Sequence, residues 1–165
     1  MIAPRALAFL VGLFWAGHAW AAAIAWHDAP RPLPAGAQAL VAEWRGNVVL
    51  LNVWATWCAP CRAEFPMLDR VAEARRAEGL VVLPLAIDRA GRPVVERFYA
   101  QRGVRALPIR VDPERVVAIG LGVEMLPTSI LLDRQGREIA RVIGPLDWET
   151  GEGAALLDRA FKPSD

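Results

Sequence analysis

Two cysteines are the residues of this chain whose type and spacing could do chemistry. Cys58 and Cys61 are the only cysteines among 165 residues, and two residues separate them. Such a pair can cycle between a dithiol and a disulfide, and so exchange disulfides with another molecule. A structural disulfide and half of a zinc site are the alternatives. A loop this short restricts the unfolded chain little, and zinc needs two more ligands, whereas the two histidines, His18 and His27, lie in or beside the N-terminal leader.

The residues around the cysteines predict a strand that leads directly into a helix. The apolar, β-branched run 48–54 predicts a buried strand, and a helix is expected from about Cys58 to Glu78, with Pro60 in its first turn. Free N–H groups and the helix dipole favour an anion at a helix start, so a thiolate there should have a lowered pKa. We therefore expect Cys58 to be the exposed nucleophile and Cys61, one turn inward, to be the resolving thiol.

The remaining apolar runs and turn residues predict the rest of the fold. Parallel pairing is expected in the first half, where helices connect the strands, and an antiparallel hairpin in the second half. The predicted class is α/β, a central mixed β-sheet flanked by helices on both faces. The further elements are a short helix at 37–44, a strand at 80–87, a helix at 92–102, a short extended piece at 109–112, a short helix at 116–121, strands at 128–133 and 138–143, and a helix at 153–161.

The segment from Gly46 through Pro66 carries a specific motif. With its Trp57-Cys-Ala-Pro-Cys61 and Glu64-Phe-Pro66 sequences, it resembles the TlpA/ResA-like thioredoxin family, and the likeness continues through 122–128. The resemblance covers roughly residues 37–161. It implies a thioredoxin fold and extracytoplasmic disulfide chemistry, usually reductive.

The resemblance also implies catalytic residues. Besides Cys58 and Cys61, Glu64 matches a glutamate that assists thiol proton transfer in the family. Burial near two thiols would raise the pKa of this carboxyl group; an exposed helix residue is the alternative. Asn52 agrees with this branch of the family and removes the buried acid of ordinary thioredoxins, which increases the expected importance of Glu64. Trp54 is expected to be a packing residue.

Five residues are expected to form the substrate-binding surface. Pro127 matches the family's cis-proline, which would leave backbone groups facing the thiols for a substrate strand to pair with; an ordinary trans proline in a loop is the alternative. Trp57 is expected to shape the exposed platform beside Cys58. The predicted substrate-binding residues are Trp57, Pro60, Leu126, Pro127 and Thr128.

The N-terminal residues read as a targeting segment. A short positive head that contains Arg5 precedes an apolar stretch and small-x-small cleavage patterns. The predicted divisions are 1–23 as a signal peptide or membrane anchor, 24–36 as an extended leader and 37–165 as a thioredoxin-like domain. An uncleaved anchor through 6–26 is the alternative to cleavage, since such a helix would reach roughly 30 Å. Both interpretations place the domain in the periplasm.

Charge and composition argue against some partners. The formal net charge is +1, and it becomes zero without residues 1–23, whose only charged side chain is Arg5. No basic patch for nucleic acid is evident, and the arginines from Arg89 to Arg115 are mixed with acids, as on a solvated surface. The expected partners are protein disulfide substrates and a membrane thiol–disulfide electron donor. No cofactor and no metal are expected.

The favoured function is reduction of disulfides in exported proteins. The Ala59-Pro60 pair lacks the histidine found between the cysteines of strong oxidants, which favours the reducing direction. One alternative is a dedicated reductant of apocytochrome c in cytochrome c maturation. Another is a protein that handles Cu(I) through the two thiols; no well-placed third ligand supports it, although Met67 and Met125 keep it open.

Overall fold

The computed structural model describes residues 22–162, so most of the predicted targeting segment 1–23, and of the alternative anchor 6–26, lies outside the described residues. Within 22–162 none of the helices combines the length and apolar character that crossing a membrane requires. Short 3-10 turns follow the first two helices. The elements are β1 Ala23–Arg31, α1 Ala35–Val41, β2 Val48–Trp54, α2 Ala59–Ala74, β3 Leu80–Ala86, α3 Arg92–Arg102, β4 Arg110–Val111, α4 Val116–Gly120, β5 Thr128–Leu132, β6 Glu138–Ile143 and α5 Gly151–Phe161.

The described strands form one mixed sheet in the order β1-β6-β5-β2-β3-β4. Strand β2 pairs parallel with β3 and antiparallel with β5, and β5 and β6 form the predicted hairpin. Every residue of β2 is buried. Because successive side chains of a strand point to opposite faces, both faces of the sheet are covered here. The predicted mixed α/β architecture is confirmed.

The segment 24–36, predicted to be an extended leader, contributes an edge strand to the sheet. Strand β1 runs antiparallel to β6, with Ala23 opposite Ile143 and Trp26 opposite Ala140. Its prolines signal a break in regular structure, yet an edge strand tolerates Pro30, because a proline there need not donate to a neighbour. What identifies this segment as a strand is its partner β6, which lies more than 100 residues away.

An aromatic cluster holds α2 and α3 against the sheet beneath the cysteines. The Trp54 ring, which is fully buried, lies 3.9 Å from the Phe65 ring and 5.1 Å from the Phe98 ring between centroids, and Tyr99 completes the group. Burial of each such ring contributes about 2–3 kcal/mol. The prediction that Trp54 is a packing residue is confirmed, and the cluster fixes where α2 begins relative to β2.

Candidate active site

The two cysteines lie where β2 passes into α2, as predicted. Cys58 is the N-cap residue of α2, with an extended backbone, and Cys61 lies in the first turn. Pro60 is also in that turn, where no hydrogen bond is lost because the first helical N–H groups have no intrahelical partner. The structure shows the oxidised state, with a disulfide joining Cys58 and Cys61.

The sulfur of Cys58 faces the amide groups of the helix start. Its Sγ accepts a hydrogen bond from the main-chain N–H of Cys61 at 3.3 Å. Cys58 is 6% exposed and Cys61 only 1%. Both cysteines are thus buried in the disulfide form, so the prediction that Cys58 is exposed is wrong for this state. Cys58 is slightly less buried than Cys61 and lies at the N-terminus of α2, where the helix dipole stabilises a negative charge. This geometry suits attack by Cys58 on an incoming disulfide and resolution by Cys61 from below.

A buried carboxylate at the end of β3 shapes the loop before Cys58. Asp88 accepts hydrogen bonds from the main-chain N–H of Thr56 at 3.0 Å and from its hydroxyl group. The next residue, Trp57, is 66% exposed. A tryptophan this exposed beside a reactive disulfide can contact a partner protein, because aromatic side chains supply large contact areas at interfaces.

The peptide bond between Leu126 and Pro127 is cis, as predicted for Pro127. The next residue, Thr128, lies opposite Val53 in the β2–β5 pairing, so this turn adjoins the end of β2 from which Cys58 emerges. The carbonyl of Pro127 accepts from the N–H of Gly144 at 2.9 Å. The main-chain groups of Leu126, by contrast, form no backbone hydrogen bond within 22–162.

Glu64 is buried one turn beyond Cys61, which excludes the alternative of an exposed helix residue. The side chain is 6% exposed, and its Oε1 accepts a hydrogen bond from the main-chain N–H of Leu146 at 2.8 Å. Its Oε2 has no hydrogen-bond partner within the described residues. Burial raises the pKa of Glu64 to about 7, and the bond from Leu146 opposes that rise only in part. A carboxyl group with this pKa can accept and return a proton near neutral pH.

The loop 145–150 holds the N–H of Leu146 in place. Asp147 accepts hydrogen bonds from the N–H groups of Glu149 and Thr150 and from the hydroxyl of Thr150. The loop also lies against Gly153, where a Cβ atom would come within 2.1 Å of the Asp147 carbonyl oxygen. The loop is therefore held by its own turn, and it can pack closely on α5 because Gly153 has no side chain.

An open groove of about 480 Å³ lies between this loop and α2. Its walls combine apolar side chains with the carboxylates of Glu64, Asp147 and Glu149. The predicted residue Pro60 lines the end of the groove nearest the cysteines. The groove therefore joins the disulfide region to the buried acid. Its remaining walls are Ala63, Met67, Pro145 and Leu146.

Asn52 lies inside the sheet, below the cysteines. It is fully buried, and its amide donates to the Ser129 hydroxyl at 3.0 Å. A neutral amide therefore occupies this buried position. Glu64, three residues after Cys61 on α2, is the carboxylic acid nearest to Cys61 in the sequence.

Two contributors to the site were not predicted. Asp88 follows an apolar strand directly, and the position of a lone acid at a strand's carboxyl end is a signal that could have identified it. Leu146 acts through its main-chain N–H, so its side-chain type carries no such signal. The Asp147-x-x-Thr150 turn beside it was the one local sign that this loop is ordered.

Comparison with known proteins supports the same architecture. The model of the AhpC/TSA family matches residues 31–140. Two curated relatives are the thiol-disulfide oxidoreductases ResA of Bacillus thuringiensis (strain Al Hakam) and Geobacillus thermodenitrificans (strain NG80-2). Each is 32% identical to this chain, over 67% and 69% of its length and 63% and 64% of theirs, respectively. The chain thus spans less than two thirds of the length of these relatives.

The fold resembles those of solved thiol–disulfide exchange proteins. The secreted thiol-disulfide isomerase of Corynebacterium glutamicum superposes with a TM-score of 0.58 at 27% identity, over 73% of this chain and 72% of that chain. A thiol:disulfide interchange protein of the thioredoxin family from Chlorobium tepidum TLS reaches 0.63 at 22% identity, over 74% and 85% respectively, which shows the fold alone. The predicted thioredoxin fold and the likeness to ResA are confirmed, and the chain belongs to the AhpC/TSA family.

Proposed function

We propose that this protein is a thiol–disulfide oxidoreductase that reduces disulfides of exported proteins through Cys58 and Cys61. The observation that carries the proposal is the reactive pair at the N-terminus of α2, one turn from a buried carboxyl group whose pKa is about 7. The ResA relatives bear the name of this activity. A purely structural disulfide would not require a proton acceptor beside it.

The proposed exchange has two steps that balance. In the dithiol form, the Cys58 thiolate attacks one sulfur of the substrate disulfide and forms a mixed disulfide, and the other substrate sulfur leaves as a thiolate that takes up a proton. Cys61 then gives its proton to Glu64 and attacks the Cys58 sulfur. This attack releases the reduced substrate, whose second sulfur is protonated in turn, and forms the Cys58–Cys61 disulfide. The substrate gains two electrons and the protein loses two.

A thiol–disulfide electron donor must restore the dithiol. One donor thiolate attacks the Cys58 sulfur, and the Cys61 sulfur leaves and is protonated. The donor's second thiol then loses its proton and attacks the donor sulfur of this mixed disulfide, which releases Cys58 as a thiolate and closes the donor's own disulfide. We assign this role to a membrane protein with a dithiol, because the domain is proposed to work outside the cytoplasm. Substrate contacts are assigned to Trp57, Pro60, Leu126, Pro127 and Thr128, with the unpaired backbone groups of Leu126 pairing with an extended substrate segment.

The proposed location is the periplasm, with residues 1–23 as a signal peptide or anchor. The apolar N-terminal stretch in the sequence supports this location. Mass spectrometry of the N-terminus of the protein purified from cells tests it. A chain that begins near residue 24 would support cleavage, an intact chain that fractionates with membranes would support anchoring, and an intact chain in the soluble cytoplasmic fraction would contradict both.

Trapping tests the activity directly. In Cys61→Ser the mixed disulfide with a substrate cannot be resolved, so Cys58 should remain covalently joined to its partners. Non-reducing electrophoresis of cell envelopes should show conjugates that disappear with reductant. Cys58→Ser is the matched control and should show none. A folded Cys61→Ser protein without conjugates would count against the proposal.

The trapped proteins also separate the more specific functions. Conjugates dominated by apocytochrome c would favour a dedicated role in cytochrome c maturation. Retention of Cu(I) by the reduced protein, without trapped partners, would favour copper handling instead.

A further inference from the structure

A basic surface lies beside the active site, assembled from separate parts of the chain. Two grooves, of about 340 Å³ and about 380 Å³, share Val94 as a wall. The first is also lined by Thr56 and the second by Trp57, the two residues that lead into Cys58. Five arginines, which we call the arginine surface, line the two grooves: Arg62, Arg97 and Arg102 in the first, Arg89 and Arg115 in the second.

The five guanidinium groups are not neutralised within the protein. All five arginines are exposed, and none of their side chains forms a salt bridge or a hydrogen bond within residues 22–162. Among the described residues, the first groove has no acidic residue in its lining, and the carboxylate in the second is that of Asp88, which is buried and already accepts hydrogen bonds from the N–H and the hydroxyl of Thr56. By contrast, the nearby Arg92 is paired with Glu96. The arginine surface therefore offers unsatisfied donors and positive charge to an outside group.

Charge differs between the two sides of α2. The groove on the Glu64 side carries Asp147 and Glu149, although Arg70 neutralises Glu149 at its edge. The side that holds Arg62 carries the arginine surface. A partner with one acidic segment would be attracted to one side of the disulfide and repelled from the other. Such asymmetry sets the direction in which a partner lies across an active site.

We propose that the arginine surface docks an acidic segment of the protein that exchanges disulfides with Cys58, with the exposed Trp57 contacting an apolar residue next to that partner's cysteine. Clusters of arginine recognise acidic motifs through charge-assisted hydrogen bonds. A protein segment suits the site better than a lipid surface, because the arginines line concave grooves that a flat bilayer does not enter. The inference rests on the proposed exchange function.

Three small disulfides test the docking without knowledge of the natural partner. Two peptides of equal length, each closed by one internal disulfide, carry either aspartates or lysines beside a leucine and the cysteines. Hydroxyethyl disulfide is the uncharged third substrate. The measured quantity is the ratio of the second-order rate constants with which the reduced protein reduces the acidic and the basic peptide. This ratio is internal to each variant, so it is independent of differences in the amount of active protein.

The unaltered protein should prefer the acidic peptide by about fivefold or more at low salt, since several exposed charge pairs act together. The preference should fall as salt shortens the range of these interactions. Arg89→Glu/Arg97→Glu, which changes one arginine in each groove, should invert it, and Arg89→Ala/Arg97→Ala should reduce it toward one. Arg31→Glu/Arg45→Glu changes the net charge equally at the opposite end of the sheet and should leave the ratio unchanged.

Three outcomes would overturn the inference. The first is equal rates for the two peptides while hydroxyethyl disulfide is reduced, which leaves the exchange function intact. The second is an equal loss of preference in Arg31→Glu/Arg45→Glu, which would assign the effect to net charge. The third is selective binding of the arginine surface to vesicles of anionic phospholipid without discrimination between peptides, which would assign it to the membrane. Failure to reduce any of the three disulfides would instead contradict the proposed function itself.

Discussion

Glu64 and Leu146 are joined by a hydrogen bond of 2.8 Å from the main-chain N–H to the carboxylate, across 82 residues of sequence. This bond connects the first half of α2, which carries the cysteines, to the loop before α5. It satisfies one carboxylate oxygen while the other stays buried without a partner within 22–162. The pKa of Glu64, and with it the proposed proton transfer, therefore depends on how firmly that loop is held.

Glu64→Gln should change how stability depends on pH. Because the pKa of Glu64 is raised from 4.5 to about 7, the folded protein favours the protonated acid, whose contribution is complete below pH 4.5 and is lost as pH rises through 7. One pKa unit corresponds to about 1.4 kcal/mol, so the free energy of unfolding should fall by about 3 kcal/mol across this pH range. Urea unfolding of the oxidised protein at several pH values should show this loss, and Glu64→Gln should not show it.

The exposed Glu73, which pairs with Arg76, provides the matched control for this experiment. Glu73→Gln should keep the pH dependence of the unaltered protein. Glu64→Gln should also slow disulfide exchange and move its pH profile. Identical exchange kinetics and profiles in Glu64→Gln and the unaltered protein would remove Glu64 from the mechanism.

Gly153→Ala should destabilise the protein and loosen the loop 145–150. The added Cβ would meet the Asp147 carbonyl at 2.1 Å, so backbone must move. Such a clash costs at least about 2 kcal/mol. Gly36→Ala is the control, because Gly36 also lies in a helix and a Cβ there meets nothing within 4 Å. Chemical denaturation should show a loss in the first variant and none in the second; similar stabilities would contradict the packing described here.

Glu138→Gln should weaken the attachment of β1 to the sheet. The Oε1 of Glu138 accepts hydrogen bonds from His27 of β1 and from Arg141. Its Oε2 accepts a second hydrogen bond from Arg141. Burial alone would raise the pKa of Glu138, but the hydrogen bonds from Arg141 and His27 outweigh it and lower the pKa. The contribution of the carboxylate is therefore present above pH 4.5 and is lost as pH falls through the lowered pKa.

The expected loss in Glu138→Gln is about 2 kcal/mol at pH 7, smaller in acid, where Glu138 is itself protonated. Thermal unfolding at pH 7 and in acid measures this loss of stability. Hydrogen exchange of the β1 amides shows whether the loss is located at β1. Glu96→Gln, which breaks an exposed pair with Arg92, should cost no more than about 0.5 kcal/mol. An equal loss in both variants would show that the buried cluster has no special role.

Asn52→Asp should destabilise the protein most at high pH. Asn52 is fully buried, and its Oδ1 has no partner within the described residues, so an ionised carboxylate would be poorly solvated there. Below its raised pKa the protonated acid can still donate to the Ser129 hydroxyl. We expect a cost of about 2 kcal/mol or more at pH 8 and less at pH 5. Denaturation at these two values measures it.

Asn47→Asp is the comparison for this prediction, since Asn47 is half-buried in a turn, where its amide donates to the Trp44 carbonyl. Its effect should be smaller and less dependent on pH. A pH-independent cost in Asn52→Asp would indicate that the lost hydrogen bond, and not buried charge, is responsible.

The sequence by itself determined the local features on which the site rests. Three features could be predicted because each depends on neighbouring residues. Strand β2 is a continuous apolar run, α2 has a proline in its first turn, and Pro127 lies in a recognisable motif before a strand. Burial of Trp54 followed from the same pattern. These features need no knowledge of distant segments, which is why they could be predicted.

Only the tertiary structure decided which distant residues meet. The arginines between 89 and 115 were expected to form an ordinary solvated surface, yet α3 and two loops place four of them in grooves beside Arg62 of α2. Likewise, the partner of Glu64 is a main-chain N–H, and β1 is a strand because β6 is beside it. Backbone groups are the same in every residue, and side chains far apart in sequence carry no mark of their neighbours, so packing alone settles such contacts.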